Sequence, residues 1–253
     1  MTEYVNTNNS RDVLSVSSLK KKYRNSRGIE NVSFSIRCGE IFGLLGANGA
    51  GKTTTMKIIT GLITNYSGDV YVDGKPFSDN PAKALRQMGC LVEMPSFYGY
   101  MSAEKNLRMA AAFYDIGKDK AERRIERLLK LVRLYQYRKD KAERFSLGMK
   151  QRLGLALAMI GSPKIYILDE PANGMDIEGI VEIRNIILQL AHEKQTSFLI
   201  SSHLAPELQK TCDRVGIIHE GMLKETAEMD WILDNYPSLE DYYLAVISTG
   251  SQL

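Results

Sequence analysis

The stretch Gly46-Ala47-Asn48-Gly49-Ala50-Gly51-Lys52-Thr53 constrains this chain more than any other. It fits the spacing G-x-x-x-x-G-K-[ST] and has the flanks such a loop needs. Before it stands the continuous apolar run Ile41-Phe42-Gly43-Leu44-Leu45, which reads as a strand buried on both faces. After it, Met56, Ile58, Ile59 and Leu62 follow a helical apolar pattern. Glycines let the backbone turn tightly around an anion, and the N–H groups at the helix start face the phosphates. Lys52 adds a point charge for the β and γ phosphates, and the Thr53 hydroxyl offers Mg²⁺ an oxygen ligand. The candidate nucleotide contacts are therefore Gly46, Asn48, Gly49, Ala50, Gly51, Lys52, Thr53 and Thr54. Alone, this loop says only that the chain is a phosphate-loop nucleotide protein.

A second apolar run, Ile165-Tyr166-Ile167-Leu168, ends in the carboxylates Asp169 and Glu170. Asp169 is expected to hold Mg²⁺ through water. Glu170 is expected to lie beside the attacking water and polarise it as general base. Carboxylates at the C-terminal end of a central strand fall where open α/β sheets bind ligands.

Composition sets the frame around these motifs. The 253 residues suit one large domain or two small ones, and 44% hydrophobic with 25% charged residues is ordinary for a globular chain. A net charge of +3 argues neither for nucleic acid nor for anionic lipid. Lys20, Lys21 and Lys22 read as a solvated face. Cys38, Cys90 and Cys212 fit no metal spacing and read as reduced, buried thiols of a cytosolic protein. No apolar run approaches the roughly 18 residues of a membrane span. Residues 1–11 are polar, lack the apolar stretch of a signal peptide and are expected to be a disordered tail.

Along the chain, Val13–Val16 and Val32–Ile36 alternate at period two, and Val70-Tyr71-Val72 before Asp73-Gly74 looks like a hairpin edge. Helical character holds from about Ser102 to Ile160, with Ile125, Leu128, Leu129 and Val132 on one face. Strand signals return at Ile165–Leu168, Ser197–Ile200 and Val215–Ile218. The plan is an α/β core interrupted by a helical insert. The expected divisions are a core over 12–95 and 160–225, a helical subdomain over 96–159 and a C-terminal segment over 226–253, where Leu239–Leu244 looks amphipathic beyond Trp231.

Between the two nucleotide motifs lies Phe145-Ser146-Leu147-Gly148-Met149-Lys150-Gln151-Arg152. This stretch resembles the signature loop of the ABC transporter ATPase family, usually L-S-G-G-Q, with Leu147 in place of a glycine and Met149 in place of the glutamine. Other elements follow in the family's order. Tyr23 matches the aromatic that stacks on adenine. Asn173-Gly174-Met175-Asp176 resembles the loop that communicates across a dimer. His203, after Leu199-Ile200-Ser201-Ser202, matches the histidine that contacts the γ-phosphate. The resemblance spans about Val13 to Leu244 and implies a P-loop NTPase (RecA-like) core with an antiparallel β subdomain and an inserted α-helical subdomain. It also implies ATP and Mg²⁺ as cofactors, a second nucleotide-binding subunit (a homodimer), separate transmembrane permease subunits, no nucleic-acid partner, and for this chain a cytoplasmic location, peripheral on the inner face of the cell membrane. Ser146, Gly148 and Asp176 would then act on ATP held by the opposite subunit.

One departure points to a subfamily. Where the family usually has glutamine, in the loop joining core and helical insert, this chain has Glu93, within Leu91-Val92-Glu93-Met94-Pro95. A glutamate here, together with Ser146-Leu147-Gly148-Met149-Lys150-Gln151, resembles the bacitracin-type and lantibiotic-immunity exporters. The resemblance implies export of an antimicrobial peptide or drug, with Glu93 as a catalytic or coupling residue and a further Mg²⁺ ligand. Phe97, Tyr98 and Tyr100 are candidates to line the groove for the membrane partner, with core packing as the competing reading. The alternatives are a soluble ATPase acting on ribosomes or DNA, and the ATPase of an importer.

Overall fold

The structure, a computed structural model, describes residues 12–24 and 27–249, so the expected tail at residues 1–11 lies outside the described residues. The chain opens with β1 (Asp12–Lys22), β2 (Gly28–Arg37) and β3 (Ile41–Leu45), then α1 (Lys52–Ile59), β4 (Ser67–Val72), β5 (Lys75–Pro76), α2 (Pro81–Leu85) and β6 (Met88–Leu91). The helical insert is α3 (Ala103–Phe113), α4 (Lys118–Leu131) and α5 (Leu147–Met159). The core resumes with β7 (Ile165–Asp169), α6 (Ile177–Lys194), β8 (Ser197–Ser202), α7 (Ala205–Gln209), β9 (Arg214–His219) and β10 (Met222–Glu228), and the described chain ends in α8 (Met229–Asn235) and α9 (Leu239–Thr249).

Among the described residues the strands form two sheets. One is antiparallel, in the order β2-β1-β4-β5; the other runs β10-β9-β3-β8-β7-β6. In the second, β9, β3, β8, β7 and β6 are parallel and β10 closes one edge antiparallel. The central strands are covered on both faces, which is why β3 and β7 are buried at every position and read as unbroken apolar runs. Phe198 on β8 stacks on Tyr166 of β7 at 4.9 Å between ring centroids. One apolar cluster joins the two sheets through Leu14, Ile36, Phe42, Leu44 and Met56. The other joins the parallel sheet to the insert and to α6 and α9 through Leu107, Ile125, Leu153, Ile187 and Tyr242.

The insert follows its periodicity. Ile125, Leu128, Leu129 and Val132 are buried, and Arg123, Glu126, Arg127 and Lys130 face solvent. Ser102 caps α3 by accepting from Lys105 N at 3.3 Å. The buried Asn106 side chain then pins the preceding loop, accepting from Tyr98 N at 2.8 Å and donating to Tyr98 O at 3.1 Å.

Several expectations need correction. Cys38 and Cys90 are exposed, and of the three thiols Cys212 is the buried one, its pKa pushed up by that burial. β6 and β10 carry no clear sequence signal, β6 because it is short and β10 because it is a polar edge strand with exposed and half-buried side chains. β10 also runs on past residue 225, where the core was expected to end.

Candidate nucleotide site

Sheet order decides which motifs meet. β8 lies between β3 and β7, and all three run parallel. Their carboxyl ends therefore stand side by side: β3 leads into the phosphate loop, β7 ends at Asp169, and β8 ends just before His203. Register sharpens this, pairing Leu45 with Ser202 and Asp169 with Ser201.

The loop wraps closely. A Cβ on Gly46 would stand 2.3 Å from the carbonyl oxygen of Ile218, so no other residue fits there. Gly49 and Gly51 have φ of 83° and 113°, the left-handed half of the map that glycine enters freely. Lys52 is buried, and its ammonium donates to the carbonyls of Gly46 at 2.7 Å and Ala47 at 3.2 Å. It also lies 3.2 Å from Glu170 Oε1, an ion pair without hydrogen-bond alignment, so that oxygen accepts no hydrogen bond. The buried cation is thus balanced by a carboxylate.

Asp169 is fixed at both oxygens. Thr53 Oγ1 donates to Oδ2 at 2.7 Å and Ser201 Oγ donates to Oδ1 at 2.5 Å. Ser201 Oγ in turn accepts from Glu170 N at 3.0 Å. Glu170 has φ 49°, a left-handed conformation that a non-glycine residue adopts at a cost of order 1 kcal/mol and that tends to mark working sites. Its Oε2 accepts from His203 Nδ1 at 2.8 Å, since an ionised carboxylate can only accept. Lys52, Thr53, Asp169, Glu170 and His203 therefore form one connected cluster, as the sequence motifs imply. Thr53 and Asp169 present oxygen donors side by side, a set that fits a hard cation such as Mg²⁺.

Beside this cluster opens a cleft of about 340 Å³ lined by Tyr23, Asn48, Gly49, Lys52, Thr53 and Thr54, large enough for a small ligand. Gly46 and Ala50 are buried and shape the loop from behind. Tyr23 is 40% exposed at the far end of the cleft, where a planar base can reach it. Arg27 and Gly28 also line this cleft, and Ser201 joins the acidic pair to β8. Sequence reasoning gave these three no role. The signal for Ser201 was a serine closing an apolar strand, and it gains meaning only through register.

Three expected residues lie elsewhere. Ser146 is exposed and caps α5, accepting from Met149 N at 3.3 Å. Gly148 is in the first turn of that helix, and Asp176 caps α6, accepting from Gly179 N at 2.9 Å. Leu147 is accommodated by a glycine in the loop before α6: its Cδ2 is 2.9 Å from where a Cβ of Gly174 would stand.

Glu93 is not brought to the acidic pair. It follows β6 in a left-handed conformation, φ 63°, which leads its side chain away to α1, where it ion-pairs with Lys57 at 2.5 Å. Nor do the expected aromatics line the nearby groove. Phe97 packs on the core, while Tyr98 and Tyr100 are exposed in an edge-to-face pair with centroids 5.7 Å apart. The groove is lined instead by Leu62, Leu85, Val92, Met94, Pro95 and Leu157.

Comparison with known proteins decides the family. The family model for ABC transporters matches residues 29–173, which take in the phosphate loop, the Ser146 helix and the acidic pair. The chain belongs to the ABC transporter family. Its ABC ATPase fold also matches a solved ATP-binding subunit of an ABC transporter, with a TM-score of 0.83 and 31% identity over 93% of this chain and 99% of that one. Two curated relatives are the bacitracin transport ATP-binding protein BcrA of Bacillus licheniformis and the lantibiotic transport ATP-binding protein SrtF of Streptococcus pyogenes. The first is 41% identical over 86% of this chain and 70% of its own length, the second 39% identical over 86% and 92%. This ABC subunit is accordingly an ATPase, the ATP-binding subunit of a transporter. None of its helices, among the described residues, is long and apolar enough to cross a membrane.

Proposed function

We propose that this ATPase drives export of an antimicrobial peptide of the bacitracin or lantibiotic kind, or a drug, as self-protection, from the inner face of the cell membrane. The observation that carries the reading is the likeness to bacitracin and lantibiotic transport subunits over 86% of the chain, and Glu93 at the interdomain loop supports it. The permease is a separate chain, and the apolar groove beside residues 92–96 is the surface that suits one of its helices.

In this reading two copies face each other head to tail. The phosphate loop and Lys52 of one copy hold the triphosphate, with the base on Tyr23. The Ser146 loop, with Gly148 and Asp176, closes over it from the other copy. Thr53 and Asp169 would hold Mg²⁺, which would neutralise charge on the phosphates, while Glu93 stays paired with Lys57. Glu170 polarises the attacking water, and His203, held by the Glu170 carboxylate, reaches the γ-phosphate. ATP drives closure only insofar as it binds the closed pair better than the open copies.

A tagged chain extracted from its own membranes in mild detergent should bring down multi-span membrane proteins, and the deletion strain should become sensitive to bacitracin or lantibiotics. Co-purification of ribosomes or nucleic acid without any membrane protein would overturn the transporter assignment. Unchanged peptide sensitivity would overturn the substrate class alone.

A further inference from the structure

Charge is divided unevenly along the chain. The helical insert, residues 96–159, carries 15 Lys and Arg against 7 Asp and Glu, while the rest of the chain carries 18 against 23. The small net charge of +3 therefore conceals a basic insert on an acidic core, an asymmetry that points to a polyanionic surface as partner. Much of the excess stands on α4. Ile125, Leu128 and Leu129 turn inward, and on the opposite side Lys120, Arg123, Arg127 and Lys130 fall within an arc of about 80° at the helical repeat. All four are exposed. The acidic groups beside them are Asp119 and Glu126, and Glu126 is taken by Lys130 at 2.7 Å. Among the described residues no ion pair holds Lys120, Arg123 or Arg127. The basic face begins at the turn between α3 and α4, where Phe113 is 73% exposed and Lys118 is exposed close behind it. That turn is fixed to α2, since Arg86 ion-pairs with Asp115 at 3.1 Å. Phe113 edges a shallow cleft with Leu85 and Leu157, and the same two residues line the apolar groove beside residues 92–96. The ring therefore stands on the side of the molecule that carries the groove.

We propose that the α3–α4 turn and the basic face of α4 rest directly on anionic lipid headgroups beside the permease. Phe113 enters the headgroup boundary, and Lys120, Arg123 and Arg127 meet the lipid phosphates. One exposed ring is ordinary on a protein surface. A ring at the edge of a basic helix face is the pairing an anionic bilayer takes, with the apolar group at the acyl boundary and the cations at the phosphates. The acidic remainder of the chain is repelled by the same surface, so the asymmetry also turns the insert toward the bilayer. The choice of lipid over other polyanions rests on the transporter reading, which sets the grooved side against the membrane.

The test is sedimentation of the full chain with vesicles of phosphatidylcholine alone and of equal parts phosphatidylcholine and phosphatidylglycerol. Binding to the mixed vesicles is expected to be about ten-fold tighter or more, and to weaken as salt is raised. The combined variant Lys120→Glu, Arg123→Glu, Arg127→Glu should lose that advantage, about ten-fold or more, with ATP turnover in solution unchanged because all three side chains are exposed and far from the nucleotide cleft. Phe113→Ser should weaken mixed-vesicle binding about three-fold or more and keep the salt dependence; it carries the test if the triple variant does not fold. Equal binding to the two vesicles, or unaltered binding by the variants, overturns the inference and leaves the transporter reading standing, since co-purification of membrane proteins tests that separately. Tighter binding of duplex RNA or DNA than of mixed vesicles through the same three residues overturns it in favour of nucleic acid. Loss of membrane-protein co-purification in the triple variant, with vesicle binding unchanged, overturns it in favour of the permease. Mixed-vesicle binding as expected by a chain that brings down no membrane protein upholds the lipid contact and removes the transporter reading alone.

Discussion

On the phosphate-loop side, both oxygens of Asp169 and the backbone N–H of Glu170 are satisfied within the chain by Thr53 and Ser201, and Lys52 is buried and paired. On the side of α5 and α6, Ser146 and Asp176 do no more than cap their own helices and remain exposed. The first region is preorganised: its charges are in place before any ligand arrives, so it loses little by reorganising during reaction. The second is two exposed helix starts, with the positive dipole end of α5 beside Ser146, a place that favours an anion. In the function proposed above, one half of the chemistry is complete in a single copy and the other half is offered to a second copy.

Substitutions can break or sharpen that contrast. The largest effect is expected from Glu170→Gln, which removes the base while keeping the shape. Turnover should fall about 10²- to 10⁴-fold in steady-state assays, with ATP binding retained and the ATP-bound dimer trapped. Ser201→Ala attacks preorganisation itself. It leaves Asp169 Oδ1 without its partner and Glu170 N with only its 3.3 Å bond to the Ser201 carbonyl, and should lower stability by about 1–3 kcal/mol in denaturant titration and turnover with it. Tyr23→Ala should weaken ATP binding of the single chain by about 1 kcal/mol, the low end for a lost base-stacking partner at a 40% exposed position, as read by calorimetry. Ser146→Ala is the sharpest discriminator and the mildest change. It removes a helix cap worth about 1 kcal/mol, leaves ATP binding by one copy as it was, and weakens ATP-driven dimerisation in sedimentation experiments. If Ser146→Ala impaired ATP binding by a single copy, the division between a complete and an offered half would not hold.

The motifs legible in the chain were those written in short-range spacing. The phosphate loop announces itself through glycines between an apolar strand and a helix, and α4 through the period of Ile125, Leu128, Leu129 and Val132. Asp169 and Glu170 were legible because an apolar strand ends in them. β6 and β10 were not, because a short strand and a polar edge strand lack periodic contrast. Glu93 was visible as a departure from the family pattern, but its partner was not, since Lys57 stands on a helix thirty-six positions earlier and nothing local pairs them.

Local pattern therefore settled the class of fold, the phosphate-binding chemistry and the identity of the carboxylates, because each rests on residues close together in sequence. Three-dimensional packing settled how those groups are tied together. Ser201 became the link between Asp169 and Glu170 only because β8 lies beside β7 with Asp169 opposite Ser201. Glu93 went to Lys57 because the chain turns left-handed after β6, and Gly154 is explained by a proline ring from another subdomain pressed against its helix. Sheet order and close packing bring together residues far apart along the chain, and no spacing rule within the chain encodes those meetings.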